Sequence, residues 1–212
     1  MSRRDAVLVE MGLGPLWRLR TPTPPAPQAD GWIDLKREVP ACTACTLHKT
    51  RTQTVLGVGD ENADWLLVGE APGAEEDRLG EPFVGQAGRL LDNMLAAIDL
   101  KRGANVYIAN VLKCRPPGNR NPEPDEVAKC SPYLVRQIKL IRPKVIVAMG
   151  RFAAQALLNT DASIAALRGR VHRYAGVPLI VTYHPAYLLR NLPDKAKAWA
   201  DLLFARKTMA SL

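Results

Sequence analysis

Two short segments of this 212-residue chain carry side chains suited to moving or holding protons. Gly69-Glu70-Ala71-Pro72-Gly73 sets one carboxylate between glycine corners, and His184 heads the run His184-Pro185-Ala186-Tyr187-Leu188-Leu189-Arg190. A carboxylate beside an imidazole supplies an acid–base pair or a pair of hydrogen-bonding groups near neutral pH. Asn110, closing an apolar run, adds an amide that can donate and accept at once. Four cysteines form a second set: Cys42 and Cys45 as Cys-x-x-Cys, then Cys114 and Cys130. By ligand count, four soft thiolates suit tetrahedral zinc or an iron–sulfur cluster equally well. A zinc ribbon usually has two close pairs, and only one is present. A thioredoxin-like dithiol follows a strand into a helix, whereas this pair precedes the first strand.

The elements that must position these groups are read from hydrophobic periodicity. Short apolar runs at Trp65–Gly69, Val106–Asn110, Val145–Gly150 and Leu179–Tyr183 predict four buried strands. Helical spacing predicts helices over Gly88–Ile98, Asp125–Ile141, Arg151–Leu158 and Asp194–Lys207, with Pro124 well placed at a helix start. Strands alternating with helices imply a three-layer α/β/α domain around a four-stranded parallel sheet. The segments leaving the four strands then gather at one rim: Glu70 to Gly73, Asn110 to Cys114, Gly150-Arg151, and His184 to Arg190. A carboxylate, an amide and an imidazole at one rim make a polar site of base or sugar size. The first loop lacks a Gly-x-Gly-x-x-Gly pattern and a following Lys-Ser/Thr, so no nucleotide cofactor is expected there.

Composition bounds the partners. With 29 basic against 21 acidic residues the chain carries a formal charge of +8, which suits a polyanion. Arg115, Arg120, Arg168, Arg170, Arg173 and Arg190 lie in loops near the rim, and some are expected to meet phosphates. No run approaches the ~18 apolar residues of a membrane span, and the N-terminus lacks the apolar region of a signal peptide. A cytoplasmic location is expected, where cysteines are ligands more often than disulfides. Residues 1–30, with Thr21-Pro22-Thr23-Pro24-Pro25-Ala26-Pro27, are expected to form a flexible proline-rich extension. Residues 31–212 are expected to form the single folded domain. Nothing points to an oligomer, and monomer is the default.

Four ordered motifs together are specific. Gly69-Glu70-Ala71-Pro72-Gly73, Glu81-Pro82-Phe83-Val84-Gly85, Asn110-Val111-Leu112-Lys113-Cys114-Arg115-Pro116-Pro117 and His184-Pro185-Ala186-Tyr187-Leu188-Leu189-Arg190 resemble the family 4 uracil-DNA glycosylases, the iron–sulfur members of their superfamily. The likeness spans roughly residues 38–207.

That resemblance implies a monofunctional hydrolase initiating base excision repair. It would cut the N-glycosidic bond of deoxyuridine in DNA and leave an abasic site. It implies a 4Fe–4S cluster on Cys42, Cys45, Cys114 and Cys130. It implies a flipped base stacked on Phe83, read at its edge by Asn110, hydrogen-bonded at O2 by His184, with Leu188 wedged into the vacated stack. Glu70, Gly69, Ala71 and Gly73 would lie along the sugar and base. In the best-known branch of the superfamily an aspartate stands where this chain has Ala71. Glu70 would then either take part of the water-handling role or serve only to organise the loop. A tyrosine that excludes thymine in other branches is here Gly73, so thymine must be rejected by other side chains. The contrasting reading is a non-catalytic iron–sulfur module that binds DNA.

Overall fold

The computed structural model describes residues 10–12 and 31–212, so the proline-rich stretch of the expected extension lies outside the described residues. Six strands form one sheet: β1 (Val58–Gly59), β2 (Trp65–Gly69), β3 (Val106–Asn110), β4 (Val145–Met149), β5 (His172–Tyr174) and β6 (Val177–Thr182). Their order is β1-β3-β2-β4-β6-β5. The central four run parallel, as the apolar runs predict. Every residue of β2, β3 and β4 is buried, because helices cover both faces.

The sheet is wider than the four strands expected from sequence. β1 and β5 are antiparallel edge strands of two and three residues, too short and too exposed to leave an apolar signature. β5 turns into β6 through Ala175 and Gly176, both at positive φ (47° and 87°), as in a tight two-residue hairpin loop.

The helices are α1 (Trp32–Ala41), α2 (Ala74–Leu79), α3 (Gln86–Ala96), α4 (Pro124–Ile141), α5 (Arg151–Leu158), α6 (Ile164–Leu167), α7 (Pro185–Leu188) and α8 (Lys195–Ala210). Alternation along the strands sends Leu66, Val68, Ile146 and Ala148 to one face, against Leu134 and Ile138 of α4 and Ala153 and Leu157 of α5. Trp65, Leu67, Val145 and Val147 face the other way, against Leu91 and Leu95 of α3 and Ala205 of α8. The result is the expected three layers.

The strand order positions the site. The chain leaves β2 toward β3 on one side and returns to β4 on the other, so the loops after β2 and β4 part company there. A crevice opens at such a reversal. Register fixes its walls, with Gly69 opposite Asn110 and Met149 opposite Thr182.

Candidate active site

A cleft of about 780 Å³ occupies this crevice. Glu70, Gly73, Phe83, Asn110, Gly150 and His184 are among the residues lining it, and Ala71 lines it too. The rim convergence read from sequence therefore exists.

Asn110 ends β3 and is 2% exposed. Its Oδ1 is buried with no hydrogen-bond partner among the described residues. Buried acceptors are normally satisfied, so this one marks a place where a donor is meant to arrive. Phe83 packs beside it. The Phe83 backbone sits at φ 56°, a conformation that costs a bulky residue about 1–3 kcal/mol. Arg102 holds it there, donating to the carbonyls of Pro82 and Phe83 at 2.9 Å each and to Asp92 at 2.9 Å. A Cβ on Gly69 would lie 2.6 Å from the Phe83 ring, so glycine at that position is what lets ring and amide close together.

His184 caps α7, its Nδ1 accepting from the Ala186 N–H at 3.1 Å. The ring proton is thereby assigned to Nε2, leaving that nitrogen a donor. Burial pushes the imidazole down to about 4, with Arg190 adding to the effect, so it is neutral at physiological pH. Its ring lies 5.4 Å from that of Phe83 at 30°. Gly150, at φ 92°, makes room: a Cβ there would come within 2.9 Å of His184 Cβ.

Glu70 follows β2 on a loop tied to the exit of β3, where the Leu112 N–H donates to its carbonyl at 3.0 Å. Burial lifts its carboxyl to about 7, and the Arg151 charge opposes the rise. Such a group holds or releases a proton near neutral pH. Gly73 caps α2 and donates its N–H to Glu76 Oε2 at 3.1 Å. Oε1 of the same carboxylate takes the N–H groups of Val84 (3.0 Å) and Gly85 (3.3 Å), fastening the Glu70 loop to the Phe83 loop.

Leu188 departs from expectation. It is 1% exposed and packs with Tyr183 and Ala198, so it is a core residue rather than a wedge. Short helix α7 turns it inward, a bend that the motif alone does not reveal. Its neighbour Leu189 is 39% exposed.

Four of the rim arginines are already engaged, Arg115 donating to Asn119 Oδ1 at 2.7 Å and Arg173 to the Gly176 carbonyl at 2.8 Å. Arg120 grips the buried Glu126 with both terminal nitrogens, at 2.9 and 2.6 Å. Arg168 binds Asp201 at 2.6 Å and lies over the Tyr183 ring. Arg190 lines the cleft and is exposed. Sequence reasoning missed Glu76, Arg102 and the part played by Lys113. The Gly73-x-x-Glu76 spacing of a helix start could have revealed Glu76.

The four cysteines also converge. Cys42 ends α1, Cys45 comes three residues on, Cys114 leaves β3 and Cys130 sits in α4, and all four line one cavity with Val39 and Tyr133. None is in a disulfide, and Cys114 and Cys130 are buried. Arg51 Nη1 donates to Cys114 Sγ at 3.1 Å, and the Lys113 N–H to Cys130 Sγ at 3.2 Å. Burial lifts the Cys130 thiol to about 11, so thiolates here need a cationic centre. The four sulfurs gather at one cavity, a donor set that fits a thiolate-ligated metal centre such as an iron–sulfur cluster.

Comparison with known proteins bears on both sites. Residues 56–203 match the model of the uracil DNA glycosylase superfamily. The type-4 uracil-DNA glycosylase of Archaeoglobus fulgidus is 53% identical over 164 residues, 74% of this chain and 82% of that protein. That of Thermotoga maritima is 46% identical over 165 residues, covering 77% and 85%. A type-5 uracil-DNA glycosylase of Pyrobaculum aerophilum is 36% identical over 151 residues, covering 63% and 66%.

Proposed function

The chain belongs to the uracil-DNA glycosylase superfamily, and within it to the type-4 enzymes; from that premise we propose that it hydrolyses the bond between uracil and deoxyribose in DNA. Free uracil and an abasic site are the products. The observation that carries the reading is the unpartnered Oδ1 of Asn110, buried between the Phe83 ring and the end of the sheet. Uracil presents an N3–H donor at its edge, which suits that acceptor. Thymine presents the same donor, so Asn110 selects against cytosine and leaves the 5-methyl group to the shape of the pocket.

The chemistry assigns a role to each group. A uridine swung out of the stack slides over the Phe83 face. As the bond from C1′ to N1 breaks, the electron pair leaves with the base and negative charge gathers on O2. His184 Nε2–H donates to that oxygen. Neutral imidazole suits the task because its proton is shared as charge develops rather than surrendered beforehand. A donor so placed is worth about 3–4 kcal/mol of transition-state stabilisation. Water adds to C1′ from the opposite face, and Glu70, ionised above about pH 7, accepts its proton. No lysine is among the described residues lining the cleft. This agrees with attack by water rather than by an amine. Cys42, Cys45, Cys114 and Cys130 would hold a 4Fe–4S cluster. Such a cluster would tie α1, the exit of β3 and α4 into one structural unit. Half-buried Ala71 packs against that unit and lines the cleft, so the cysteine site braces the pocket wall.

The experiment is direct. Purified protein is incubated with a single-uracil oligonucleotide and with its thymine twin, then with alkali to break abasic sites. Strand breaks at uracil alone are expected. Breaks at neither, from protein that binds DNA and carries iron, would replace the enzyme with a binding module.

A further inference from the structure

Lys113 is the most deeply buried cation among the described residues, its side chain 1% exposed. It leaves β3 between Asn110, at the cleft, and Cys114, at the cysteine cavity. Its Nζ donates to the Asn110 carbonyl at 2.8 Å and to Gln137 Oε1 at 2.5 Å. Gln137 is itself held, donating to the Leu56 carbonyl at 2.9 Å and to the Tyr107 hydroxyl at 3.3 Å. The ammonium is therefore aimed by a built network rather than parked in a gap. Both of its acceptors are neutral, and no carboxylate pairs with it among the described residues.

A buried charge persists when an opposite charge compensates it. The compensating charge would lie on the other side of the same residue, where the Lys113 N–H donates to the ligand sulfur Cys130 Sγ at 3.2 Å. Four thiolates around a 4Fe–4S core leave a net negative group. Arg51 faces that group from its half-exposed side through Cys114.

We propose that Lys113 is the internal countercharge of the cysteine-ligated cluster and, through its bond to the Asn110 carbonyl, the positioning residue that holds the uracil-reading amide in register with it. This rests on the function proposed above and adds a physical link between its two sites. It also explains why a neutral aliphatic side chain, the ordinary choice for so dry a position, does not stand at 113.

Two readouts test it, and neither is turnover. The first is the rate at which iron passes to a chelator, followed by visible absorbance. The second is the binding preference for an uncleavable 2′-fluoro-deoxyuridine oligonucleotide over its 2′-fluoro-deoxycytidine twin, the discrimination that the Asn110 amide makes. Lys113→Met is expected to release iron about tenfold faster and to lose most of the preference. Arg51→Met is expected to release iron faster with the preference intact, because Arg51 does not touch Asn110. Wild-type iron retention in Lys113→Met overturns the countercharge, and faster release with full preference overturns the positioning role. Should Lys113→Met not accumulate folded, Lys113→Gln, neutral but still a donor, carries the iron test with the same refuting result. Wild-type protein that binds no iron would overturn the cluster reading itself, an outcome separate from either.

Discussion

The sharpest expectation concerns Glu70 and pH. Its carboxyl is lifted to about 7 by burial, so its basic form dominates only above neutrality. At pH 5, two units lower, about 1% is ionised, and excision falls about a hundredfold from its plateau with a slope of one. His184, held at about 4, stays neutral across that range and contributes almost nothing to the limb. The assay is single-turnover release of uracil from a duplex oligonucleotide between pH 5 and 9, with enzyme in excess. Glu70→Gln should lower the plateau by roughly 10²–10⁴-fold and flatten the acid limb. Arg151→Met should move the midpoint upward, because the Arg151 charge restrains the rise of the Glu70 carboxyl. A wild-type profile level from pH 5 to 8, or a Glu70→Gln enzyme that keeps the limb, would refute the assignment of Glu70 as base.

His184→Ala should cost about 10²–10³ in the rate of excision while DNA binding stays near wild type, as measured by single-turnover kinetics and fluorescence anisotropy. Leu188→Ala should destabilise the fold by about 2–5 kcal/mol in urea unfolding, whereas Leu189→Ala should leave unfolding nearly unchanged and slow excision from duplex more than from single strands. Gly150→Ala, placing a Cβ 2.9 Å from His184 Cβ at φ 92°, should lower excision and melting temperature together. Glu70→Gln carries an opposite sign for stability. A carboxyl raised in the folded state makes the protein less stable as pH climbs from about 4.5 to about 7. Calorimetry at pH 8 should therefore find the variant melting above wild type.

The sheet was legible because its central strands are buried on both faces, and continuous apolar runs such as Val145–Met149 admit few other readings. The site groups were legible for a related reason: each stands within a residue or two of a strand end. The edge strands were not, since β5 is His172-Arg173-Tyr174 and looks like a loop. Leu188 misled because a motif fixes spacing and not direction, and one turn of helix after Pro185 points it into the core. Lys113 was hidden by its own type. Nothing in the chemistry of lysine announces a side chain 1% exposed, and only the packing of Gln137 and Cys130 around it makes that burial tolerable.

The Glu76 carboxylate, gripping amides at Gly73, Val84 and Gly85, has a thermodynamic corollary. Walls already ordered when the chain folds lose little freedom when the base arrives, so binding carries only a small reorganisation entropy on the protein side. The remaining expense is the nucleic acid's own: unpairing and unstacking the uridine. Differences between one uracil and another, in a mismatch, a single strand or a stiff A·T tract, then measure how readily the DNA deforms. A receptor this rigid behaves less like a hand that closes than like a mould, and the variable part of the encounter is the strand pressed into it.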